Sequence, residues 1–145
     1  MMLRPIITRG KTTANQSLFA KAGTLYIHSM RQHNLIDIVV GEENCPGSVL
    51  IRAIEPKFGL ETMKLRRNTD NELNLCSGPG KLCKALSADK LLDGKNIFDP
   101  DCVLKVSLPK EQLKNENVAS GKRIGITKNK DQPLRFYLKN SKYVS

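Results

Sequence analysis

The sequence feature that most constrains the fold is the run SVLIRAI at positions 48–54. It is almost continuously apolar, which indicates a strand buried at the centre of a sheet. Arg52 interrupts the run. A charged side chain inside an apolar strand is costly unless it forms an ion pair or faces a working cavity. Residue 52 is therefore predicted either to form a buried salt bridge, with Glu55 or Asp37, or to belong to a functional site.

The segments on either side of this run predict an α+β fold. Those rich in β-branched and aromatic residues predict further strands at 24–30, 35–40, 123–127 and 134–139. Helical spacing and end signals predict helices at 12–19 and 59–67, and one that opens at 77–80. Residues 97–108 predict short strand or loop pieces, and 109–122 a polar surface excursion. Residues 1–145 are expected to form one domain, a mostly antiparallel curved sheet with short flanking helices.

Composition limits the class of protein. The chain has 145 residues, of which 39% are hydrophobic and 26% charged; these proportions are typical of a globular domain and argue against a disordered chain. Its longest apolar runs are too short to cross a bilayer. The first ten residues contain no apolar stretch of signal-peptide length. We therefore expect no membrane association and a cytoplasmic protein.

Four cysteines raise the question of a disulfide or metal site. Cys45, Cys76, Cys83 and Cys102 do not have paired C-x-x-C spacing, and no histidine lies near the last three. Free cysteines are usually buried and behave as small apolar side chains. We predict reduced, partly buried thiols and no metal site.

Positive charge is concentrated at the C-terminal end. The net charge is +10, and residues 105–145 contribute ten basic and three acidic side chains, a net +7. Phe136, Tyr137 and Tyr143 are interleaved with these cations. Such a segment suits a phosphate backbone, although a lysine-rich solvated surface has the same pattern.

Five blocks of the sequence resemble one known family. The first covers residues 49–63 (VLIRAIEPKFGLETM), in which an arginine is followed by Ala, an apolar residue, Glu and Pro. The others cover 9–26 (RGKTTANQSLFAKAGTLY, with a Thr-x-x-Asn), 75–86 (LCSGPGKLCKAL), 123–126 (RIGI) and 133–145 (PLRFYLKNSKYVS). They occur in order and together span nearly the whole chain. By this resemblance the chain is identified as a member of the alkylpurine (3-methyladenine) DNA glycosylase family.

The resemblance implies a base-excision-repair enzyme whose partner is double-stranded DNA with a damaged purine. Such enzymes flip the base into a pocket before hydrolysing its N-glycosidic bond. A glutamate acts as general base on a water that an arginine helps to hold. Aromatic side chains sandwich the base, and a wedge side chain fills the gap in the DNA. The resemblance implies no cofactor and no metal. We expect a monomer, associated with the nucleoid if the chain is bacterial.

Several residues match the family's functional positions. Arg52 stands at the water-positioning arginine. His28 replaces a stacking tyrosine, and Asp37 stands where the family usually has an asparagine that guards against guanine. The resemblance assigns both to the base pocket, together with Ile124 and Gly125 on a strand that lines the pocket floor. The residues predicted to contact DNA are Thr12, Arg31, Lys81 and Arg123, with Lys81 at a helix N-terminus that suits a phosphate.

Other family positions predict a diverged member. The family's general-base glutamate lies on a Glu-Ala-Tyr-type strand upstream of the Thr-x-x-Asn segment, and we expect this chain to begin after it. The wedge tyrosine has become Arg31 or been deleted. Loss of a general base typically lowers the rate by about 10²–10⁴. Three hypotheses stay open: a glycosylase, impaired or not; a catalytically inactive DNA-binding module; and the product of a decaying gene.

Overall fold

The computed structural model describes residues 1–4, 10–108, 117–125 and 131–144, and only the backbone of residues 2–4. Within them six strands form one sheet. They are β1 (Met2–Arg4), β2 (Leu25–Met30), β3 (His33–Val39), β4 (Ser48–Leu50), β5 (Val118–Gly121) and β6 (Arg135–Leu138). Their order in the sheet is β2-β3-β4-β1-β6-β5, and every neighbouring pair is antiparallel.

The helical segments are short. Two are α-helices, α1 (Leu60–Arg67) and α2 (Pro79–Leu86). Three are 3₁₀ helices, at Thr13–Phe19, Glu72–Asn74 and Lys90–Leu92. The α+β class and the mostly antiparallel sheet predicted from the sequence are confirmed.

One face of the sheet packs on α2 and forms the main core. Leu25, Ile27 and Ile36 from β2 and β3 meet Leu82 and Ala85 from α2, and all five are buried. The contact is close at Gly80, where an added Cβ would lie 2.8 Å from the Cβ of His33. A side chain at that helix position would push α2 away from β3.

The opposite face carries the polar residues. The register places Tyr26, Asp37, Leu50, Met2, Arg135 and Gly121 side by side, one from each of the six strands. Directly opposed residues of antiparallel strands have their side chains on the same face. Asp37 and Arg135 therefore share a face although almost a hundred residues separate them in sequence. Leu18 and Phe19 of the first 3₁₀ helix cover one end of this face by packing on Val39.

The predicted central strand at 48–54 is shorter in the structure. It is central and buried as expected, but β4 ends at Leu50. The Ile51 N–H still donates to Ile36 O at 3.0 Å, whereas the Ile54 N–H donates to Cys76 O at 3.3 Å. The chain thus leaves the sheet between these residues, and Arg52 lies beyond the strand rather than inside it.

The C-terminal hairpin also differs from expectation. The strand predicted at 134–139 is confirmed as β6, but its partner is Val118–Gly121, within the predicted surface excursion. Residues 123–125 were predicted to form a strand and do not, because the chain bends there, with φ of +77° at Gly125. Residues 126–127 of that predicted strand, and 109–116 of the excursion, lie outside the described residues.

The predicted helices are present with small corrections. The first is a 3₁₀ helix that Thr12 precedes, and the Thr12 N–H donates to Asn15 Oδ1 at 2.6 Å. The helix at 59–67 begins at Leu60 after Gly59. Leu65 is 83% exposed, because α1 contacts the rest of the fold through Leu60 and Met63.

Candidate functional site

A cavity of about 260 Å³ opens beside Met1, at the start of β1 and between the segments that follow β4 and form β6. Met2 lies opposite both Leu50 and Arg135. Arg52 follows Leu50 by two positions in the sequence, and Tyr137 follows Arg135 by two. Both side chains line the cavity. The cavity is thus a notch in the sheet. Its walls are residues 52–55 on one side and 135–138 on the other, with Met1, Ser141, Tyr143 and Val144 completing it.

Arg52 is the most unusual residue of this cavity. Its Nε atom is buried and has no hydrogen-bond partner among the residues that the structure describes. Burial lowers the pKa of the guanidinium, and the positive charge of Arg135 lowers it further. Buried polar atoms in folded proteins nearly always have a partner. Arg52 Nε is such an exception among the described residues, and Arg52 lies at the wall of the cavity.

Arg135 is the second cation of the cavity. It is the first residue of β6, and its Nε–H donates to the carbonyl oxygen of Lys122 at 3.1 Å. Its guanidinium lies over the ring of Tyr137, 4.6 Å from the centroid, in a cation–π contact. These contacts fix Arg135 at the wall of the cavity that faces Arg52.

Glu55 is the carboxylate among the residues that line the cavity. Its Oε1 atom accepts a hydrogen bond from Lys57 Nζ at 2.6 Å, and its side chain is 44% exposed. The hydrogen bond and the charge of Glu55 raise the pKa of Lys57. Glu55 is therefore a solvent-accessible carboxylate on the wall of the cavity that also contains Arg52.

Arg52 forms neither of the two salt bridges predicted as alternatives for it, as far as the described residues show. The ion pair of Asp37 is with His28, and that of Glu55 is with Lys57. Among the described residues, Arg52 has no ion pair with either acid. The remaining interpretation, a charged side chain in a functional cavity, fits its position.

His28 and Asp37, predicted as base-pocket residues, lie together but outside this cavity. Asp37 is fully buried; it accepts a hydrogen bond from Ser48 Oγ at 2.9 Å, and His28 Nδ1 lies 3.3 Å from its other oxygen. The imidazole of His28 stacks on Tyr26, with ring centroids 4.9 Å apart. The buried pair Leu35 and Leu50 lies on the same face. The base-pocket roles of His28 and Asp37 stay predictions.

The other predicted site residues are dispersed. Lys81 Nζ donates to Asn74 Oδ1 and lies 3.4 Å from Ser77 Oγ, so it is held within its own turn. Arg31 is exposed at the tip of the β2–β3 hairpin, with a left-handed φ of 48°. Thr12 is exposed. Arg123, Ile124 and Gly125 lie in the bend after β5, and Ile124 is 40% exposed. None of these is among the residues that line the notch, and their roles stay predictions.

Sequence reasoning singled out Arg52 but missed its partners in the cavity. Arg135 and Tyr137 occur two residues apart in a predicted strand, which places them on one face. That alternation could have identified them. The proximity of this pair to Arg52 could not be foreseen, because it depends on β1 lying between β4 and β6.

Comparison with known proteins decides the family of this chain. The family model of methylpurine-DNA glycosylase matches residues 6–142. The chain belongs to this family. The glycosylase resemblance of the sequence motifs is thereby confirmed, and DNA is the substrate class of the family.

Relatives of this glycosylase-family chain share much of its length. One from Methanoculleus marisnigri, named "putative 3-methyladenine DNA glycosylase", is 42% identical over 94% of this chain and 72% of its own. Relatives of the same name from Agrobacterium fabrum and Chlorobium phaeobacteroides are 44% and 39% identical, each over 94% of this chain and over 67% and 69% of their own lengths.

Two further observations concern metal binding and membrane-spanning helices. In the ranges that the structure describes, no group of three or more His, Cys, Asp or Glu side chains could hold a metal ion. No helix in those ranges is long and apolar enough to cross a membrane.

Proposed function

We propose that this chain is a DNA glycosylase that releases damaged purines of the 3-methyladenine type from double-stranded DNA. The observation that carries the proposal is Arg52, a half-buried cation whose buried Nε atom has no hydrogen-bond partner among the described residues. The notch is smaller than the roughly 300–1,000 Å³ of a drug-sized pocket. A single flipped base and its sugar are ligands of the appropriate size.

The reaction requires a held water and stabilisation of charge. As the N-glycosidic bond breaks, positive charge develops on the sugar and a water attacks the anomeric carbon. In our proposal Arg52 orients this water through its Nε–H. Glu55 is the carboxylate that the described cavity offers to accept the proton from the water. The rings of Phe136, Tyr137 and Tyr143 supply surfaces on which the flipped base can stack.

The domain organisation, oligomeric state and location of the chain are proposed from its sequence. We propose that residues 1–145 act as one domain and as a monomer, at the cellular location of the DNA. The basic residues of 105–145 would neutralise DNA phosphates. Sedimentation of the purified chain as a single 16.2 kDa species would support the monomer.

The test is release of base from a duplex oligonucleotide that contains 3-methyladenine, 7-methylguanine or hypoxanthine. We expect release above the rate in buffer, and a loss of about 10²-fold or more in Arg52→Ala. Glu55→Gln keeps the shape of the side chain and removes the base, so it should lose a similar factor. Glu42→Gln, at an exposed carboxylate outside the cavity lining, is the matched control. Absence of release by the unmodified chain would overturn the proposal.

DNA binding without catalysis is the second candidate. Ten basic against three acidic residues in 105–145 favour it. It predicts binding to undamaged duplex whose logarithmic salt dependence has a slope of about −0.9 per phosphate neutralised. Binding of this kind without base release would support the second candidate over the first.

A further inference from the structure

We propose that Asp93 is a positioning residue for the stacked rings of Tyr26 and His28. Together with Lys90 it holds β2 at Ile27, the residue between the two rings. The proposal rests on the proposed function for one step, the contact of these rings with the flipped base. The hold on the strand itself does not depend on any reaction.

The strand β2 lies at an edge of the sheet, and β3 is its neighbour among the described strands. In an antiparallel pair, the backbone groups of alternate residues point toward and away from the neighbouring strand. Leu25 and Ile27 are the residues whose groups point away from β3. The Leu25 N–H donates to Lys95 O at 2.8 Å, and the backbone groups of Ile27 are bonded to side chains beyond the edge.

Two charged side chains bond both backbone groups of Ile27. The Ile27 N–H donates to Asp93 Oδ1 at 2.7 Å, and Lys90 Nζ donates to the carbonyl oxygen of Ile27. Hydrogen bonds with a charged donor or acceptor are stronger than those between neutral groups. Asp93 and Lys90 therefore bond Ile27 as a further strand would. They fix the two peptide groups that join this residue to Tyr26 and to His28.

Asp93 is itself held in place. Its second oxygen, Oδ2, accepts a hydrogen bond from Ser17 Oγ at 3.1 Å, and Ser17 is buried in the first 3₁₀ helix. The next residue, Gly94, donates its N–H to Leu25 O at 2.9 Å. A carboxylate that is bonded at both oxygens, on a backbone tied to the same strand, has little freedom to move. Asp93 thus joins the first 3₁₀ helix to β2.

The rings on either side of Ile27 depend on this strand for their geometry. Tyr26 and His28 are two residues apart, so their side chains share a face of the sheet. Their ring centroids are 4.9 Å apart and the ring planes are inclined by 10°. His28 Nδ1 also lies 3.3 Å from Asp37. A shift of the backbone at Ile27 would displace both rings, and displacement of a substrate by about 1 Å can cost about 10²-fold in rate.

Proton NMR of the whole chain tests the hold without any reaction. The chain has two histidines, and stacking on Tyr26 should place the imidazole signals of His28 upfield of those of His33. Asp93→Ala should reduce this difference and leave the His33 signals in place. Lys90→Met removes the donor to Ile27 O and should have the same effect.

Two further variants show whether the effect belongs to this carboxylate. Asp93→Asn keeps an acceptor for the N–H of Ile27, so it should retain most of the difference between the two histidines. Asp101→Ala removes an exposed carboxylate from the same part of the chain and should change neither set of signals.

In the proposed reaction, Asp93→Ala should act on a step after DNA binding. With the protein in excess over a hypoxanthine-containing duplex, we expect base release at least about tenfold more slowly. The affinity for undamaged duplex should be unchanged, because the rings contact a base only after it has flipped. A purely structural role would lower the melting temperature and leave the release rate well below that temperature unaltered.

Unchanged His28 signals in both Asp93→Ala and Lys90→Met would overturn the proposal, as would an equal change at His33 or in Asp101→Ala. If thermal melting shows that Asp93→Ala does not fold, Lys90→Met still decides, since it leaves the carboxylate in place. An active chain whose release rate is the same in Asp93→Ala would overturn the role in the reaction. If the His28 signals respond but the unmodified chain releases no base, the glycosylase proposal fails while the hold on β2 stands.

Discussion

His28 Nδ1 lies 3.3 Å from a carboxylate oxygen of Asp37, and the other oxygen accepts the hydroxyl hydrogen of Ser48 at 2.9 Å. Three neighbouring strands thus meet at one fully buried carboxylate. Asp37, which the sequence predicted as a base-pocket residue, therefore also stabilises the sheet. Any effect of its substitution on activity has to be separated from an effect on folding.

Replacement of Asp37 should lower the free energy of unfolding. In Asp37→Ala the hydroxyl of Ser48 loses its acceptor and His28 loses its ion-pair partner, at a cost of about 1–3 kcal/mol. Asp37→Asn keeps an acceptor for Ser48 and should cost less. Urea denaturation measures both. Asp70→Ala removes an exposed carboxylate as a control, and an equal loss in this control and in Asp37→Ala would contradict the expectation.

Two helical leucines should respond differently to truncation. Leu82 on α2 is completely buried against β2 and β3, whereas Leu65 on α1 is 83% exposed. Leu82→Ala should destabilise the fold by about 2–5 kcal/mol. Leu65→Ala should stay within about 0.5 kcal/mol of the unmodified chain. Thermal or urea unfolding of the pair checks the expectation, and similar losses would show that the assignment of α1 and α2 faces is wrong.

The four cysteines should fall into two classes of reactivity. Cys45 is exposed, whereas Cys76, Cys83 and Cys102 are at most 3% exposed. Burial raises the pKa of Cys76 and raises that of Cys83 to about 12, so neither supplies the reactive thiolate at neutral pH. A disulfide reagent at pH 7.5 should modify one thiol rapidly, and Cys45→Ser should abolish that phase. Rapid modification of more than one thiol in the native chain would count against this packing.

Alkaline pH should weaken the fold through Cys83. Burial, with a contribution from the Asp37 charge, raises the pKa of this thiol from 9.0 to about 12. Between these values the unfolded chain has lost the proton that the folded chain keeps. The free energy of unfolding therefore falls as pH rises, by at most about 1.4 kcal/mol per pH unit from this group. Urea unfolding at several pH values above 9 should show a shallower decline in Cys83→Ala than in the unmodified chain. Cys45→Ser should leave the decline unchanged.

Most helices and strands could be predicted because their own residues carry the composition and spacing typical of that structure. The β2–β3 hairpin has β-branched and aromatic residues in both strands, and α2 has a Pro near its start with buried residues at helical spacing. These features determine the structure without reference to distant residues. The prediction of Val118–Gly121 failed because Ala, Ser and Gly have no strong strand preference. That strand exists because it pairs with β6.

The site was harder to predict than the fold. Arg52 was identifiable as a charge in an apolar run, but the strand predicted over 48–54 ends at Leu50, four residues earlier. Tertiary pairing sets that boundary, because β1 pairs with residues 48–50. The meeting of Arg52 with Arg135 depends on the order of strands in the sheet, which no local signal in either segment encodes.

The attachment of the β5–β6 hairpin has a consequence for the motions of the protein. Among the described strands, β6 meets the rest of the sheet through β1, by one pair at Met2–Arg135 and by the two backbone hydrogen bonds between Met1 and Phe136. So few contacts favour opening of the hairpin as a unit well before global unfolding. Amide protons of the hairpin should therefore exchange with solvent together and faster than those of β2 and β3. In the proposed function a flipped base would lie against both this hairpin and residues 52–55, and slower exchange in the hairpin would report its arrival.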